Sequence, residues 1–290
     1  MTLIKPHKTG AANLAVARFF ERVNRFILRR SDVSVTLGRC MKDRVLGKGT
    51  PPQRVRTISI WSDAEGMDPI EPASNPVRAA MGIGPTEVVV MYSGNFGIGH
   101  DAGTICDAMS ILRDDPGLRF EFVGGGKRRG EVESYIARHG LTAARWHDYA
   151  PRENLGPSLA AGDIHLISLK EGVEGIMVPS KLMGIMAVGR PSIFVGNPGS
   201  EVARVLEETG SGVVVREGDA QGLAEAIRRL AQDAGARRLM GENARRALQG
   251  RYDAPTACRN WVELLEQVVA GPADGSAVIA GAKTQTRPGS

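Results

Sequence analysis

The sequence predicts an α/β fold with a doubly wound parallel sheet, and two observations carry this prediction. From about residue 87 onward, short apolar runs alternate with helical patterns of ten to fifteen residues. Such alternation is typical of βαβ units, whose crossovers place helices on both faces of a parallel sheet. Glycine and alanine are also abundant, while aromatic residues make up only 5% of the chain, which suits closely packed layers of helices and strands.

The N-terminal part is predicted to hold one helix followed by a small βαβ unit. Residues 14–30 place phenylalanine, valine and isoleucine on one face of an amphipathic helix. The β-branched run 33–37 predicts a strand, residues 41–46 a short helix and residues 56–60 a second strand. Residues 61–76 are rich in Asp, Glu, Pro, Ser and Asn, and they are predicted to be a linker between domains.

The rest of the chain is predicted to be one domain in which strands and helices alternate. Strands are expected where apolar residues run together, and helices where the apolar spacing is three to four residues. The expected strands are 87–92, 119–123, 144–147, 163–168, 192–195 and 212–215. The expected helices are 102–113, 130–139, 152–161, 179–188, 200–209, 220–232, 236–249 and 255–269. Residues 271–290 lack periodicity, so we expect a disordered tail.

Positive charge is concentrated in residues 1–55, which hold twelve Lys or Arg residues against Glu21, Asp32 and Asp43. The whole chain has a net charge of +5, so the remainder is net acidic. The charge and the apolar face of the 14–30 helix leave two alternatives. Either the helix packs on a domain with its basic face solvated, or it docks on an anionic membrane surface. Nucleic-acid binding is not expected, because no aromatic stacking motif accompanies the charge.

Composition argues against several classes of protein. No stretch approaches the roughly 20 apolar residues that span a bilayer, and we find no signal-peptide pattern. Cys40, Cys106 and Cys258 are isolated, which suits a reducing cytoplasm, and neither the cysteines nor the five histidines have the spacing of a zinc site. We therefore expect a cytoplasmic protein that binds no metal and no other cofactor.

Three glycine-rich segments follow predicted strands, so they are expected at the carboxyl edge of the sheet, where doubly wound folds bind ligands. They are residues 93–100 (SGNFGIGH), 124–128 (GGGKR) and 171–181 (EGVEGIMVPSK). The glycine spacing of the first is not that of a dinucleotide fingerprint, and no acid follows at the required distance, so a nicotinamide site is disfavoured. Backbone amides near a phosphate or sugar are favoured, with a plain strand-to-helix turn as the alternative.

The second segment combines flexible backbone with two cations. Gly124, Gly125 and Gly126 let the main chain approach a ligand closely. Lys127 and Arg128 would then neutralise a diphosphate. The alternative is a surface turn whose charges are solvated.

The third segment places acids before a predicted helix start. Glu171 and Glu174 are positioned to accept hydrogen bonds from sugar hydroxyls. Pro179 suits the first turn of a helix, which would put Ser180 and Lys181 among free backbone amides that bind an anion. Carboxylates for hydroxyls next to amides for phosphates predict a nucleotide-sugar site.

The order of these motifs resembles the C-terminal half of the retaining family-4 glycosyltransferases of GT-B architecture, in particular the branch that builds bacterial surface polysaccharides. The resemblance extends from about residue 12 to residue 270, and it implies a Rossmann-like donor domain at 67–270. Residues 1–66 would be the remnant and linker of a second Rossmann domain, which binds the acceptor. The matching segments are YSGNFGIGHD, FVGGGKRR, HDYAPRENLGPSLAAGDIHLISL, EGIMVPSKLMGIMAVGRPSIFVG and MGENAR.

The resemblance implies roles for individual residues. Tyr149 would line the base pocket, and Ser180 with Lys181 would face the diphosphate or ribose. Glu174 would contact the sugar hydroxyls, so that Glu174 and Lys181 are the expected catalytic residues. Glu201 is a further candidate for the ribose contact.

Three positions depart from the family pattern. The phosphate-binding Arg and Lys of the family fall on Asn95 and His100, which with Gly94 and Gly97 make up the expected first donor loop. The second acid of the family falls on Gly184. The cations of the other two segments are expected to supply the missing positive charge.

Together these observations predict a transferase that moves a sugar from a nucleotide diphosphate, expected to be UDP, to a lipid-linked or glycan acceptor in cell-surface polysaccharide synthesis. Expected partners are the nucleotide-sugar, an anionic membrane surface or lipid-linked acceptor at the inner face of the cell membrane, and a separate acceptor-domain protein. Without that domain the chain would be inactive alone. The alternatives are a nucleotide-sugar-binding module without turnover and a nucleotide-sugar epimerase.

Overall fold

A computed structural model describes residues 11–178 and 180–271, and it has the α/β fold that the sequence predicts. The predicted helix start at Pro179 and all but the first residue of the predicted disordered tail (271–290) lie outside the described residues. The N-terminal segment contains helix α1 (Ala11–Arg30), strand β1 (Ser34–Thr36), helix α2 (Arg39–Gly47) and strand β2 (Val55–Thr57). The two strands pair in parallel, so the predicted helix and βαβ unit are confirmed.

The larger sheet has six strands that all run parallel. They are β3 (Val88–Ser93), β4 (Leu118–Val123), β5 (Ala144–His147), β6 (Ile164–Ser168), β7 (Ser192–Val195) and β8 (Gly212–Val215). Their order is β5-β4-β3-β6-β7-β8. The chain therefore winds outward in one direction from β3 and in the other from β6, and the switch between these two strands is where a doubly wound sheet opens a ligand crevice.

Helices cover both faces of this sheet. They are α3 (Pro76–Ala80), α4 (Gly103–Ile111), α5 (Arg129–His139), α6 (Leu155–Ala160), α7 (Lys181–Ala187), α8 (Glu201–Thr209), α9 (Ala220–Gln232), α10 (Ala234–Ala247) and α11 (Ala254–Ala270). Helices α4, α5 and α9 share one apolar cluster with the sheet, and α7, α8 and α10 share another. Successive residues of β3 divide between the faces, with Val90 and Tyr92 in the first cluster and Val89 and Met91 on the other side.

The last helix returns to the N-terminal segment. Ala257 and Leu264 of α11 are buried against Ile58, which directly follows β2. Val35 of β1 and Trp261 of α11 pack around the same cluster. A two-stranded parallel sheet has too little surface to form a core alone, and α11 provides the apolar face that it lacks.

Helix α3 was missed by the sequence analysis, which assigned its first residue to a linker. Its start follows standard capping rules. Asn75 Oδ1 accepts hydrogen bonds from the backbone N–H groups of Val77 and Arg78, and Pro76 occupies the first helical position. The Asn-Pro pair is thus a helix start in this context.

Helix α3 also carries a buried cation into the sheet. Arg78 Nη1 lies 2.8 Å from Asp163 Oδ2, and both side chains are almost fully buried. The same carboxylate oxygen accepts a hydrogen bond from the N–H of Val89 at 2.8 Å. The arginine further donates to the carbonyl oxygens of Ala161 and Glu87. This network holds together the amino ends of β3 and β6, on the edge of the sheet opposite the ligand crevice.

Candidate functional site

Three loops meet at the carboxyl edge of the sheet, beside the switch between β3 and β6. They comprise residues 94–100 after β3, 124–128 after β4 and 169–178 after β6. Backbone hydrogen bonds join them, from Gly94 to Val123 (2.8 Å), from Phe96 to Gly125 (2.6 Å) and from Lys170 to Gly99 (2.9 Å). The predicted convergence of the three segments is therefore confirmed.

Two glycines allow the first two loops to touch. Gly124 has a φ of 126°, and a Cβ built there would lie 2.5 Å from the carbonyl oxygen of Gly94. Gly126 has a φ of 128°, and its Cβ would lie 2.5 Å from the backbone of Phe96. Both positions exclude a side chain by conformation and by space. The glycines of the second loop thus serve loop-to-loop packing in addition to any role toward a ligand.

Lys181, at the start of α7, places a buried cation beside these loops. Its Nζ has no hydrogen-bond partner among the described residues and lies 3.5 Å from the centre of the Tyr92 ring. A Cβ at Gly94 would lie 3.6 Å from its Cε. Burial lowers the pKa of Lys181 from 10.5 to about 7. A buried cation without an acidic partner is costly, and it indicates a place for an anion.

His100 links two of the loops. It is only 5% exposed, stacks on Phe96, and its Nδ1 donates a hydrogen bond to the carbonyl oxygen of Ser168 at 2.5 Å. Burial, and then the nearby charge of Lys181, lower the pKa of His100 to about 4. His100 is therefore neutral at pH 7 and adds no positive charge to the site.

The cations of the second loop are placed differently from Lys181. Arg128 donates to the carbonyl oxygen of His100 at 2.7 Å and makes a bidentate ion pair with Glu131 at 2.6 and 2.8 Å. Lys127 is exposed to solvent. Arg128 is already paired with an acid and Lys127 is solvated. Of the three cations predicted to bind the diphosphate, Lys181 is therefore the one that is buried and has no acidic partner among the described residues.

The third loop folds around Glu174. The carboxylate Oε2 of Glu174 accepts a hydrogen bond from the N–H of Gly172 at 2.9 Å, while its Oε1 is buried and has no partner among the described residues. The N–H of Glu171 is bound by Glu217 Oε2 at 2.6 Å. From α2, Arg44 donates to the carbonyl oxygens of Glu174 and Gly172. Sequence reasoning missed Arg44, which lies 130 positions away and carried no signal beyond the general basic charge.

Tyr149 lies at the outer side of the site. Its side chain is 60% exposed, and its ring would be 3.0 Å from a Cβ at Gly124 and 3.2 Å from one at Gly125. The ring therefore lies directly on the glycine turn. An exposed aromatic face next to backbone amides can stack against a planar ring. Asn95 is exposed and Gly97 half-buried in the neighbouring loop.

Comparison with known proteins identifies the family. The model of the family described as glycosyl transferases group 1 matches residues 87–233, which is half of the chain. The chain belongs to this family. The matched range begins one residue before β3 and ends after α9, so it includes all three loops of the candidate site. This result favours a transferase over the binding-module and epimerase alternatives.

Individual relatives agree with the family. WcaI of Escherichia coli K12, named provisionally as a colanic acid biosynthesis glycosyl transferase, is 28% identical over 219 residues, which are 75% of this chain and 52% of WcaI. Sucrose-phosphate synthase from Thermosynechococcus elongatus has a TM-score of 0.74 at 21% identity, covering 87% of this chain and 62% of that one. Anabaena HepE in complex with UDP-glucose has a TM-score of 0.74 at 16% identity, covering 86% and 68%. The chain spans about half the length of the curated relatives it matches.

The structure also locates the residues at which this member of the family departs from the expected pattern. A Cβ at Gly184 would lie 3.1 Å from the Leu159 side chain, so this position faces α6 and an acid there would have to displace Leu159. Glu201 does not have a free carboxylate, as its use for ribose would require, because it is bound by the backbone N–H and the guanidinium of Arg39. Ser180 is exposed and its side chain does not cap α7, which has only seven residues. An anion site here therefore depends on the Lys181 side chain more than on a helix terminus.

Proposed function

We propose that this protein is the donor-binding part of a glycosyltransferase that takes its sugar from a nucleotide diphosphate, with UDP as the first candidate. The proposal rests on the buried ammonium group of Lys181, which lies at the switch point of the sheet and has no hydrogen-bond partner within the described part of the chain. The family membership and the fold shared with a protein crystallised with UDP-glucose support it.

The described residues suggest how the donor would lie. The diphosphate would sit beside the contact between Lys181 and the backbone of Gly94, because an anion there would neutralise the buried charge. The base would stack on the exposed ring of Tyr149. The sugar would extend toward Glu174, whose unpartnered Oε1 can accept a hydrogen bond from a hydroxyl.

The chemistry that follows is transfer with retention of configuration. The bond from the sugar C1 to the β-phosphate oxygen breaks, and the acceptor oxygen bonds to C1 on the same face. The acceptor proton passes to the departing phosphate oxygen. Negative charge accumulates on the diphosphate during this step, and the ammonium group of Lys181 would stabilise it in a site that excludes water. Loss of such a contact costs about 2–4 kcal/mol in the transition state of other enzymes.

Calorimetric titration with UDP, GDP and ADP tests the proposal. We expect one of the three to bind wild-type protein, with affinity falling at least tenfold in Lys181→Met. Lys42→Met, which removes a lysine of α2 outside the loops, is the matched control and should leave the affinity unchanged. Absence of binding by all three nucleotides, or equal affinity in Lys181→Met, would contradict the proposal. Transfer of radiolabelled sugar, assayed with and without membranes, then separates turnover from binding.

We further propose that the acceptor is lipid-linked and that α1 brings the protein to an anionic membrane. None of the described helices is long and apolar enough to cross a bilayer. On α1, however, Phe19, Phe26 and Ile27 are 61%, 65% and 56% exposed. Arg29 and Arg30 end the same helix. Exposed aromatic residues together with cations suit the interface of an anionic bilayer.

A groove connects this helix to the candidate donor site. It has a volume of about 1010 Å³, lies between α1 and α2, and reaches Gly175 and Ile176 of the third loop. Its lining is mainly apolar, and Arg18 lines it together with Glu21, which is paired with Arg25 and Lys48. Such a groove would accommodate the hydrocarbon of a lipid-linked acceptor with its phosphate near Arg18, which supports the choice of acceptor.

A further inference from the structure

Arg44 joins the N-terminal segment to the loop that carries Glu174. Its Nε donates to the carbonyl oxygen of Glu174 at 2.5 Å and its Nη2 to that of Gly172 at 3.1 Å. The two carbonyl groups flank Val173, whose side chain is buried in the apolar cluster of α7 and α8. A planar guanidinium can hold two acceptors at fixed separation, which a lysine ammonium cannot do in the same way.

The backbone of this loop also approaches α2 closely at Gly175. Gly175 has a φ of 71°, and a Cβ there would lie 2.5 Å from the carbonyl oxygen of Cys40 and 2.9 Å from Arg44 Cδ. Any other residue at position 175 would push the loop away from α2. The close approach is thus built into both partners, through a glycine on the loop and an arginine on the helix.

A second arginine fixes the same helix to the next loop of the sheet. Arg39 binds Glu201 of α8 through its backbone N–H at 2.6 Å and through its guanidinium at 3.0 Å. Cys40 Sγ lies 3.3 Å from the carbonyl oxygen of Gly199, which precedes α8. Helix α2 is therefore anchored across the carboxyl ends of β6 and β7, and Arg44 acts from a fixed position.

The turn that Arg44 holds also fixes the side chain of Glu174. Its conformation depends on the turn at 172–174, because Oε2 is held by the N–H of Gly172, while Oε1 has no partner among the residues that the structure describes. Arg44 holds the two carbonyl groups of this turn. We propose that Arg44 is a positioning residue, which orients Glu174 toward the sugar of the donor. This inference rests on the proposed function for the sugar contact, whereas the holding of the loop by Arg44 stands apart from it.

Hydrogen exchange of the unliganded protein tests the structural half. We expect Arg44→Ala to raise the exchange of amides 171–176 about tenfold, with smaller changes in the six-stranded sheet. Arg44→Lys should give an intermediate exchange rate, because it keeps the charge but cannot hold two carbonyl groups at a fixed separation. Lys42→Ala, on the same helix, is the control and should match wild type. Unchanged exchange at 171–176 in Arg44→Ala would overturn the inference.

Binding of UDP and UDP-glucose tests the functional half. We expect Arg44→Ala to lower the affinity for UDP-glucose about tenfold and the affinity for UDP less than twofold, since only UDP-glucose carries the sugar. Equal weakening of both ligands, or of neither, would overturn the positioning role. If wild-type protein binds neither ligand, the proposed function fails, and the exchange result alone decides whether Arg44 holds the loop.

Discussion

The Nζ of Lys181 lies 3.5 Å from the centre of the buried Tyr92 ring, with no acid paired to it in the part of the chain that the structure describes. A cation over an aromatic face gains about 2 kcal/mol when it is desolvated. Removing an ammonium group from water costs more than this. The empty protein therefore stabilises this charge poorly, and a bound anion would stabilise it well.

The affinity for a diphosphate should depend on pH through Lys181. With its pKa lowered to about 7, the free protein loses the charge as pH rises above 7, and it must then take up a proton to bind an anion. We expect the affinity for UDP-glucose to fall up to tenfold per pH unit above about pH 7 and to change little below it. Calorimetry in two buffers of different ionisation enthalpy measures the proton uptake. In Lys181→Met the affinity should no longer depend on pH. If the affinity of the wild-type protein does not depend on pH either, Lys181 is not the group that titrates.

The same residue should lower the stability of the empty protein. The pKa of Lys181 is lower in the folded than in the unfolded protein, so the unfolded chain binds the proton more tightly. The free energy of unfolding is therefore lowered by the full amount below about pH 7, and this loss disappears as pH rises toward 10.5. Lys181→Met should then stabilise the protein by on the order of 2–5 kcal/mol at pH 6, and by less at pH 9. Urea denaturation at both values measures this. The exposed Lys127→Met is the control, and an equal gain at both pH values would count against the explanation.

A side chain at Gly124 should separate the first two loops. Gly124→Ala requires an unfavourable positive φ, which costs about 1–3 kcal/mol, and its Cβ would meet the carbonyl oxygen of Gly94. We expect lower stability and a loss of nucleotide affinity. Gly130→Ala is the control, because a Cβ at this position in α5 has nothing within 4 Å and should be neutral or stabilising. Thermal unfolding and calorimetry together test both, and similar behaviour of the two variants would contradict the packing role.

The buried pair of Arg78 and Asp163 should be much more sensitive than a surface pair. Arg78→Met leaves the carboxylate buried without its partner, which costs about 3–5 kcal/mol. The double variant Arg78→Met with Asp163→Asn should recover part of the loss. Arg238→Met removes an exposed ion pair with Glu242 and should have no measurable effect in urea denaturation. A small effect of Arg78→Met would show that the network matters little.

Membrane binding by α1 should require its aromatic residues and low salt. We expect sedimentation with phosphatidylglycerol vesicles but not with phosphatidylcholine vesicles, and release at about 0.5 M salt, where charges are screened. Phe19→Ser with Phe26→Ser should abolish binding. Leu239→Ser, at an equally exposed position on α10, should not. Loss of binding in all variants alike, or binding regardless of lipid charge, would exclude this mode.

Most of the fold could be predicted because its signals are local. The strands at 144–147, 192–195 and 212–215 and the helix at 220–232 have the predicted bounds, since each is an apolar run or an amphipathic period bounded by turn residues. Helix α3 was missed because Asn75 and Pro76 occur in a segment whose composition indicates a linker, although the same residues cap a helix.

The site could be predicted only in part. The parallel topology brings the three loops together, which alternation along the sequence already implies. The contacts of Arg44 and Arg39 could not be predicted, because they join residues 130 and 162 positions apart and depend on how α2 packs. Burial also could not be read from the sequence. It distinguishes Lys181 from Lys127, although both were predicted as cations for one diphosphate.

Helix α11, which covers the apolar side of the β1–β2 unit, is synthesised long after that unit. About 200 residues separate β2 from its partner Ala257, which at 5–20 residues per second is a delay of roughly 10–40 s on the ribosome. During that time β1 and β2 have emerged, but the helix that covers their apolar side does not yet exist. The β1–β2 unit therefore stays without its apolar cover until α11 is synthesised, and we expect its packing to be completed late in folding.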